Sequence, residues 1–274
     1  MPDILEPLHQ HITLPPHQKV YFASDFHLGS PDWQSSQVRE KKIVRWLDSI
    51  QEDASAIFLL GDVFDFWFEY RNAIPKGFIR LLGKLAEMAD RGVLVYLFTG
   101  NHDLWMFDYF PQELGVPVIN NPISIQINHR RFHIGHGDGL GPGDRTYKVF
   151  KKVFTSRVAQ RLFSLVHPDW GISFARRWSA YSRHKNLTKD ESFRAKEDEW
   201  IYQYCVATEQ KQHHDYYIFG HRHLVLDIPI NENSRYINTG EWMHACHYAC
   251  FDGSALTLVP FLSDGKLQEK HYLS

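Results

Sequence analysis

The sequence predicts an α/β protein: a two-sheet sandwich flanked by helices, with a helical insert. Three observations predict it. Short apolar runs alternate with amphipathic stretches over residues 20–98, later runs alternate apolar and polar residues, and the stretch 145–205 differs from both in charge and periodicity.

Val20–Ala23 reads as a first buried strand. Gln37–Ile50 places Val38, Ile43, Val44, Trp46, Leu47 and Ile50 at helical spacing. Ala56–Leu60 is a second strand, Phe78–Ala89 a helix closed by Gly92, and Val93–Phe98 a third strand. The order βαβαβ marks a mostly parallel sheet covered by helices. Pro117–Asn128 and Arg131–Ile134 then read as paired strands. Asp215–Phe219 follows, and Leu224–Ile228, Ser234–Asn238, Tyr248–Asp252 and Ala255–Pro260 read as a closing antiparallel set.

The 274 residues suffice for one domain, expected over 1–274 with a helical cap insert at about 145–205. Between Arg145 and Lys196 there are 13 Lys+Arg against three Asp+Glu, a net of +10; the remainder carries −12. Tyr147, Phe150, Phe154, Phe163, Trp170, Phe174, Trp178 and Tyr181 interleave with this charge. Either the stretch is a solvated helical face with its own small core, or it is a cap that meets an anionic, partly apolar substrate or an anionic membrane surface. No stretch approaches the roughly 20 apolar residues of a membrane span. Residues 1–18 lack an apolar secretory core, and the three cysteines form no Cys-x-x-Cys, so a cytoplasmic setting is expected.

Five stretches carry metal-type ligands at the ends of apolar runs: Asp25-Phe26-His27, Gly61-Asp62-Val63-Phe64-Asp65, Gly100-Asn101-His102-Asp103, Gly135-His136-Gly137-Asp138 and Gly220-His221-Arg222-His223. In open α/β sheets the carboxyl ends of strands are where ligands bind. Carboxylate, imidazole and amide donors without thiolate suit Mn²⁺, Fe or Zn²⁺. The seven candidates Asp25, His27, Asp62, Asn101, His136, His221 and His223 exceed one ion's needs and fit two sharing a carboxylate.

In order and content these stretches resemble the motifs of the calcineurin-like metallophosphoesterases. The resemblance implies that family's sandwich fold and two divalent ions, with Mn²⁺ expected. Asp25, His27 and His223 would hold the first ion; Asn101, His136 and His221 the second; Asp62 would bridge. His102, beside Asn101, would donate a proton to the leaving group or neutralise developing charge, and Asp103 would fix its tautomer. Asn101 would also face the substrate.

Within the family, Gly61–Trp67, the spacing from His136 to Asp144, and Ser182, Asn186 and Lys189 resemble the branch that hydrolyses the diphosphate of UDP-2,3-diacylglucosamine. The substrate expected is thus a UDP-linked diacyl sugar or a similar amphipathic phosphoester bound by Asp144, Ser182, Asn186 and Lys189, at a membrane surface docked through the insert. The chain departs from that branch at His102, where Arg is usual, and at Phe68-Glu69-Tyr70. Another nucleotide-linked or lipid phosphoester is therefore the alternative substrate. A nucleic-acid partner is not expected, because the acidic remainder offers no extended basic track. A non-enzymatic scaffold would not need the full ligand set.

Overall fold

The computed structural model describes residues 11–142, 145–175, 177, 179 and 195–261. Five strands follow the apolar runs closely: β2 (Lys19–Ala23), β3 (Ala54–Leu59), β4 (Leu94–Phe98), β7 (Arg130–Ile134) and β8 (Tyr216–Phe219). Two six-stranded sheets face each other. One runs β12-β11-β2-β3-β4-β5, the other β1-β6-β7-β8-β10-β9, where β1 is His11–Ile12, β5 Val118–Ile119, β6 Ile123–Ile127, β9 Val225–Pro229, β10 Arg235–Thr239, β11 His247–Phe251 and β12 Leu256–Pro260.

Strands β2, β3, β4 and β5 are parallel, as are β7, β8 and β10, so their carboxyl ends can share one edge. Two expectations are corrected. Pro117–Asn128 is not one strand: Val118–Ile119 joins β4 in the first sheet, and Ile123–Ile127 pairs with β7 in the second, because Asn120-Asn121-Pro122 carries the chain across. Nor do the last four strands form one antiparallel set. β9 and β10 extend the second sheet, while β11 and β12 return to edge the first through β2.

Burial divides accordingly. Between the sheets lie Val20, Phe22, Phe58, Tyr96, Phe98, Phe132, Ile218 and Phe251. The opposite side of the first sheet packs on α1 (Trp33–Ile50), α2 (Ile79–Asp90) and α3 (Tyr109–Leu114) through Trp46, Leu47, Leu81, Leu85 and Phe110. The Asp32 side chain accepts the Ser35 amide, which starts α1 ahead of its apolar stripe. Glu40 of α1 accepts the Arg80 and Leu81 amides, and Glu69 accepts those of Phe107, Asp108 and Tyr109 at the start of α3. Two carboxylates from neighbouring segments thus satisfy helix N-termini that lack a side-chain cap of their own.

The stretch expected as the insert contains α4 (Arg145–Phe154), α5 (Arg157–Phe163) and a helix, α6, described over 168–175. Helix α7 (Trp200–Glu209) covers the outer side of the second sheet, where Ile201 and Cys205 are buried with Tyr217 and Phe219. Phe163 of α5 packs against Phe66, Phe68 and Trp105 on the body. The side chains of Tyr147, Phe150, Trp178 and Tyr181 lie outside the described residues, as do Asp144, Ser182, Asn186 and Lys189.

Candidate metal centre

Each strand that ends at the shared edge delivers its ligands through a sharp turn. Asp25, His27, Asp62, His221 and His223 all have positive φ, a region uncommon for residues with a Cβ. These are five of the nine such non-glycine residues described, so the strain concentrates where donors converge. The glycines before them are set by space. A Cβ on Gly100 would stand 2.1 Å from Asp62 Oδ1, and one on Gly220 2.4 Å from Asp25 Oδ2.

The donors fall into two groups. Asp25, His27 and His223 bring one atom each to within 4.8 Å of one another, as do Asp62, His136 and His221. In the first, His27 Nε2 lies 2.9 Å from His223 Nε2, and Asp25 Oδ1 3.2 Å from the latter. In the second, His136 Nε2 lies 3.3 Å from Asp62 Oδ2 and 3.2 Å from Asn101 Oδ1. Asp62 Oδ2 also stands 3.9 Å from His27 Nε2, between the groups. All seven sequence candidates are thereby brought together. A third group joins His27, Asp65 and His102.

The surrounding contacts aim these atoms. His136 Nδ1 bonds the Leu60 carbonyl at 2.8 Å, which directs Nε2 inward. Asp25 Oδ2 accepts the Ser24 hydroxyl and, at 2.9 Å, the His221 amide. Arg39 of α1 donates to the His27 and Ser30 carbonyls. Asp25 Oδ1 is buried without a hydrogen-bond partner among the described residues, as is His27 Nδ1. A buried carboxylate oxygen left unpaired beside two imidazoles fits a cation site.

Electrostatics point the same way. Burial opposes ionisation of Asp25, yet the His223 and His27 imidazoles beside it hold it well below the carboxylate range. Burial likewise opposes Asp62, and His136 and His102 outweigh it. Burial pushes His27 down to about 3 and His221 to about 4, keeping both as neutral imidazoles. Burial would lower His136 too, but the Asp62 carboxylate holds it up to about 10.

His102 stands at the rim, part-buried. Its Nδ1 lies 2.8 Å from Ser179 Oγ and 3.2 Å from the Asp65 carbonyl. Asp103 does something other than the expected orientation of His102. Its buried carboxylate accepts the amides of Gly100 at 2.7 Å, Phe64 at 3.2 Å and Asp62 at 3.3 Å, pinning the second and third ligand loops together. Burial and the neighbouring Asp62 charge raise it to about 7. The expectation fails because the side chain turns inward to satisfy the backbone of the turn rather than outward to the imidazole.

Sequence reasoning missed Arg39, which bonds the His27 carbonyl, and Ser179, which bonds His102, both from positions distant in the chain. It also left open the role of Asp138, which pairs with Lys151 of α4 at 2.6 Å and so ties the insert to the His136 loop. No motif marks these residues; only the fold brings them close.

The calcineurin-like phosphoesterase family model matches residues 18–225. A Porphyromonas gingivalis protein named UDP-2,3-diacylglucosamine hydrolase is 36% identical over 254 residues, covering 88% of this chain and 96% of its own. A Photorhabdus laumondii protein of the same name is 25% identical over 219 residues, covering 78% and 88%. Among solved structures, zinc-complexed Vps29 from Entamoeba histolytica aligns with a TM-score of 0.42 at 14% identity, over 91% of this chain and 95% of that one.

Proposed function

The chain belongs to the calcineurin-like phosphoesterase family and is a metal-dependent hydrolase, and we propose that it cleaves the diphosphate of UDP-2,3-diacylglucosamine to UMP and 2,3-diacylglucosamine 1-phosphate. The observation that carries this reading is the 36% identity to a relative so named, over nearly all of both chains.

In this reading Asp25, His27 and His223 would hold one divalent ion and Asn101, His136 and His221 a second, with Asp62 shared between them and Mn²⁺ as the metal. When bound, such ions would supply positive charge for the phosphoryl oxygens and would favour deprotonation of the attacking water. The protein's own groups do the rest. Water supplies an oxygen to the uridylyl phosphorus, the bond from that phosphorus to the bridging oxygen breaks, and the sugar phosphate leaves. With Nδ1 of His102 engaged by Ser179 and the Asp65 carbonyl, Nε2 is the nitrogen free to neutralise or protonate the departing oxygen. Asp144, Ser182, Asn186 and Lys189 bind the sugar and diphosphate.

The insert supports delivery from a membrane surface. Val158, Leu162, Leu165, Trp170 and Phe174 are exposed there, beside Arg157 and Arg161. Basic side chains near an anionic surface contribute about 1 kcal/mol each, and exposed apolar groups can enter the interface. Among the described residues no helix is long and apolar enough to cross a membrane. The protein should float with anionic liposomes at low salt; recovery wholly in the unbound fraction would remove the membrane part of the proposal.

The deciding experiment is Mn²⁺-dependent hydrolysis of UDP-2,3-diacylglucosamine, with products resolved by mass spectrometry and UDP-glucose as control. UMP should appear from the acylated substrate alone, and Asp62→Ala should abolish turnover while keeping the fold. No turnover alongside cleavage of a simple phosphodiester would move the substrate to another phosphoester. Full activity of Asp62→Ala would overturn the mechanism.

A further inference from the structure

Arg222 sits between His221 and His223, yet it does not face the metal centre. Its side chain is buried, and Nε reaches both carboxylate oxygens of Glu199, at 3.0 and 2.9 Å. The guanidinium carbon lies 4.5 Å from the ring centroid of Trp200. Both members of the ion pair are at most 5% exposed. Removing two charges from water at one point is unfavourable unless geometry compensates, so such a pair calls for an explanation beyond general stability.

Its placement supplies one. Glu199 is the residue immediately before α7, where the chain returns from the stretch that contains α4, α5 and α6. Ile201, on the first turn of α7, lies against Gly137: a Cβ on that glycine would stand 2.7 Å from Ile201 Cδ1. The start of α7 therefore meets both loops of the second sheet that carry histidines of the centre. The 220–223 turn is tight, with the Arg222 amide on the Gly220 carbonyl and left-handed backbone at His221 and His223. Nothing in the local sequence fixes how far apart those two imidazoles point. The planar guanidinium of Arg222, held by Glu199 through Nε and placed over Trp200, can fix it.

We propose that Arg222 and Glu199 form a positioning pair that sets the separation of the two metal subsites. His221 belongs to the second donor group and His223 to the first, so a rotation of Arg222 moves one relative to the other. The inference rests on reading both histidines as ligands, but not on which phosphoester is hydrolysed.

The test is metal binding rather than turnover. Metal-stripped protein is titrated with Mn²⁺ by calorimetry, and the loaded form is checked by electron paramagnetic resonance for the exchange-coupled signal of two close Mn²⁺ ions. Arg222→Lys keeps the charge but loses the Nε donor and the planar group over Trp200; Glu199→Gln keeps shape but loses the charge. Each should weaken Mn²⁺ binding about 10–100-fold, the usual range for groups that support a ligand, and should diminish or alter the coupled signal, with the circular dichroism spectrum retained. Glu199→Asp is the milder variant if these do not fold, and should lie between them and wild type. Arg91→Ala, which breaks an exposed pair with Glu52 far from the centre, should bind as wild type does. Wild-type affinity and coupling in Arg222→Lys and Glu199→Gln would overturn the inference. Wild-type protein that binds fewer than two ions would instead overturn the reading of the centre itself.

Discussion

At the scale of the residue, the centre spends backbone strain to aim its donors. Left-handed conformation at a residue with a side chain costs on the order of 1–3 kcal/mol unless the surroundings hold it. Asp103 is one of the groups that hold it, because its carboxylate accepts amides from the Asp62 and Gly100 loops at once. Asp103→Ala removes the acceptor and leaves three buried amides to find others. With about 1–3 kcal/mol for a buried group left unsatisfied, and partial relaxation, the fold should lose roughly 2–4 kcal/mol. Urea unfolding measures this directly. A loss under about 1 kcal/mol would mean that the turn is held by other contacts. Mn²⁺ affinity should fall with it, since Asp62 is carried by the same loop.

At the scale of the element, a second polar network joins β7, α7 and β8 behind the centre. His133 contacts Ser124 and Tyr204 through its two nitrogens, and its ring neighbours are His214, Tyr217 and Phe219. Burial first, then His214, pushes His133 down to about 4; burial and Arg131 also lower His214. A histidine depressed in the fold binds its proton more readily when unfolded. Its contribution to stability is therefore fully present above the unfolded value near 6.5 and is lost as pH falls toward 4. At about 1.4 kcal/mol per unit, His133 should account for roughly 2–3 kcal/mol of acid destabilisation. The check is the pH dependence of the urea midpoint in wild type and in His133→Asn. The variant should show the shallower fall between pH 7 and 4.5, and parallel curves would show that the group does not report on folding.

The same scale explains what could be foreseen. The candidate donors were legible because all five stretches lie at the ends of apolar runs and four of them open on a glycine, and the close approach of Gly100 to Asp62 and of Gly220 to Asp25 shows why no larger residue fits there. The parallel strands β2, β3 and β4 were legible from their continuous apolar character. Sheet membership of the later strands was not: Val118–Ile119 and Ile123–Ile127 carry similar patterns yet join different sheets. Helix α3 escaped because a six-residue segment with a proline inside is too short for periodicity, and its amides depend on Glu69, far back in the chain. Arg39 and Ser179 escaped for a related reason, since a supporting residue has no required spacing from the ligand it supports.

At the scale of the whole molecule, the stretch expected as an insert meets the sandwich in an aromatic seam. Phe163 approaches Phe68 at 4.7 Å and Trp105 at 4.8 Å between ring centroids, and the Trp105 indole donates to the Phe154 carbonyl at 2.7 Å. The aromatics of the insert thus divide: Phe154 and Phe163 turn to the body, whereas Trp170 and Phe174 are exposed. Ser179, from the same insert, bonds His102, so the seam fixes where that hydroxyl stands. Phe163→Ala removes the ring at the middle of the seam, a truncation that costs about 3–5 kcal/mol in a fully buried site and less at this half-buried one. That cost should fall on docking of the insert rather than on the sandwich, because Phe163 lies outside all three clusters that build the sheets. Limited proteolysis should therefore cut the variant faster within 145–199 while the body survives as an intact fragment. Mn²⁺ binding should stay close to wild type, and turnover should fall through loss of the Ser179 contact to His102. Unchanged cleavage of the insert would show that the seam does not hold it; loss of metal binding would show that docking reaches the centre by a further route.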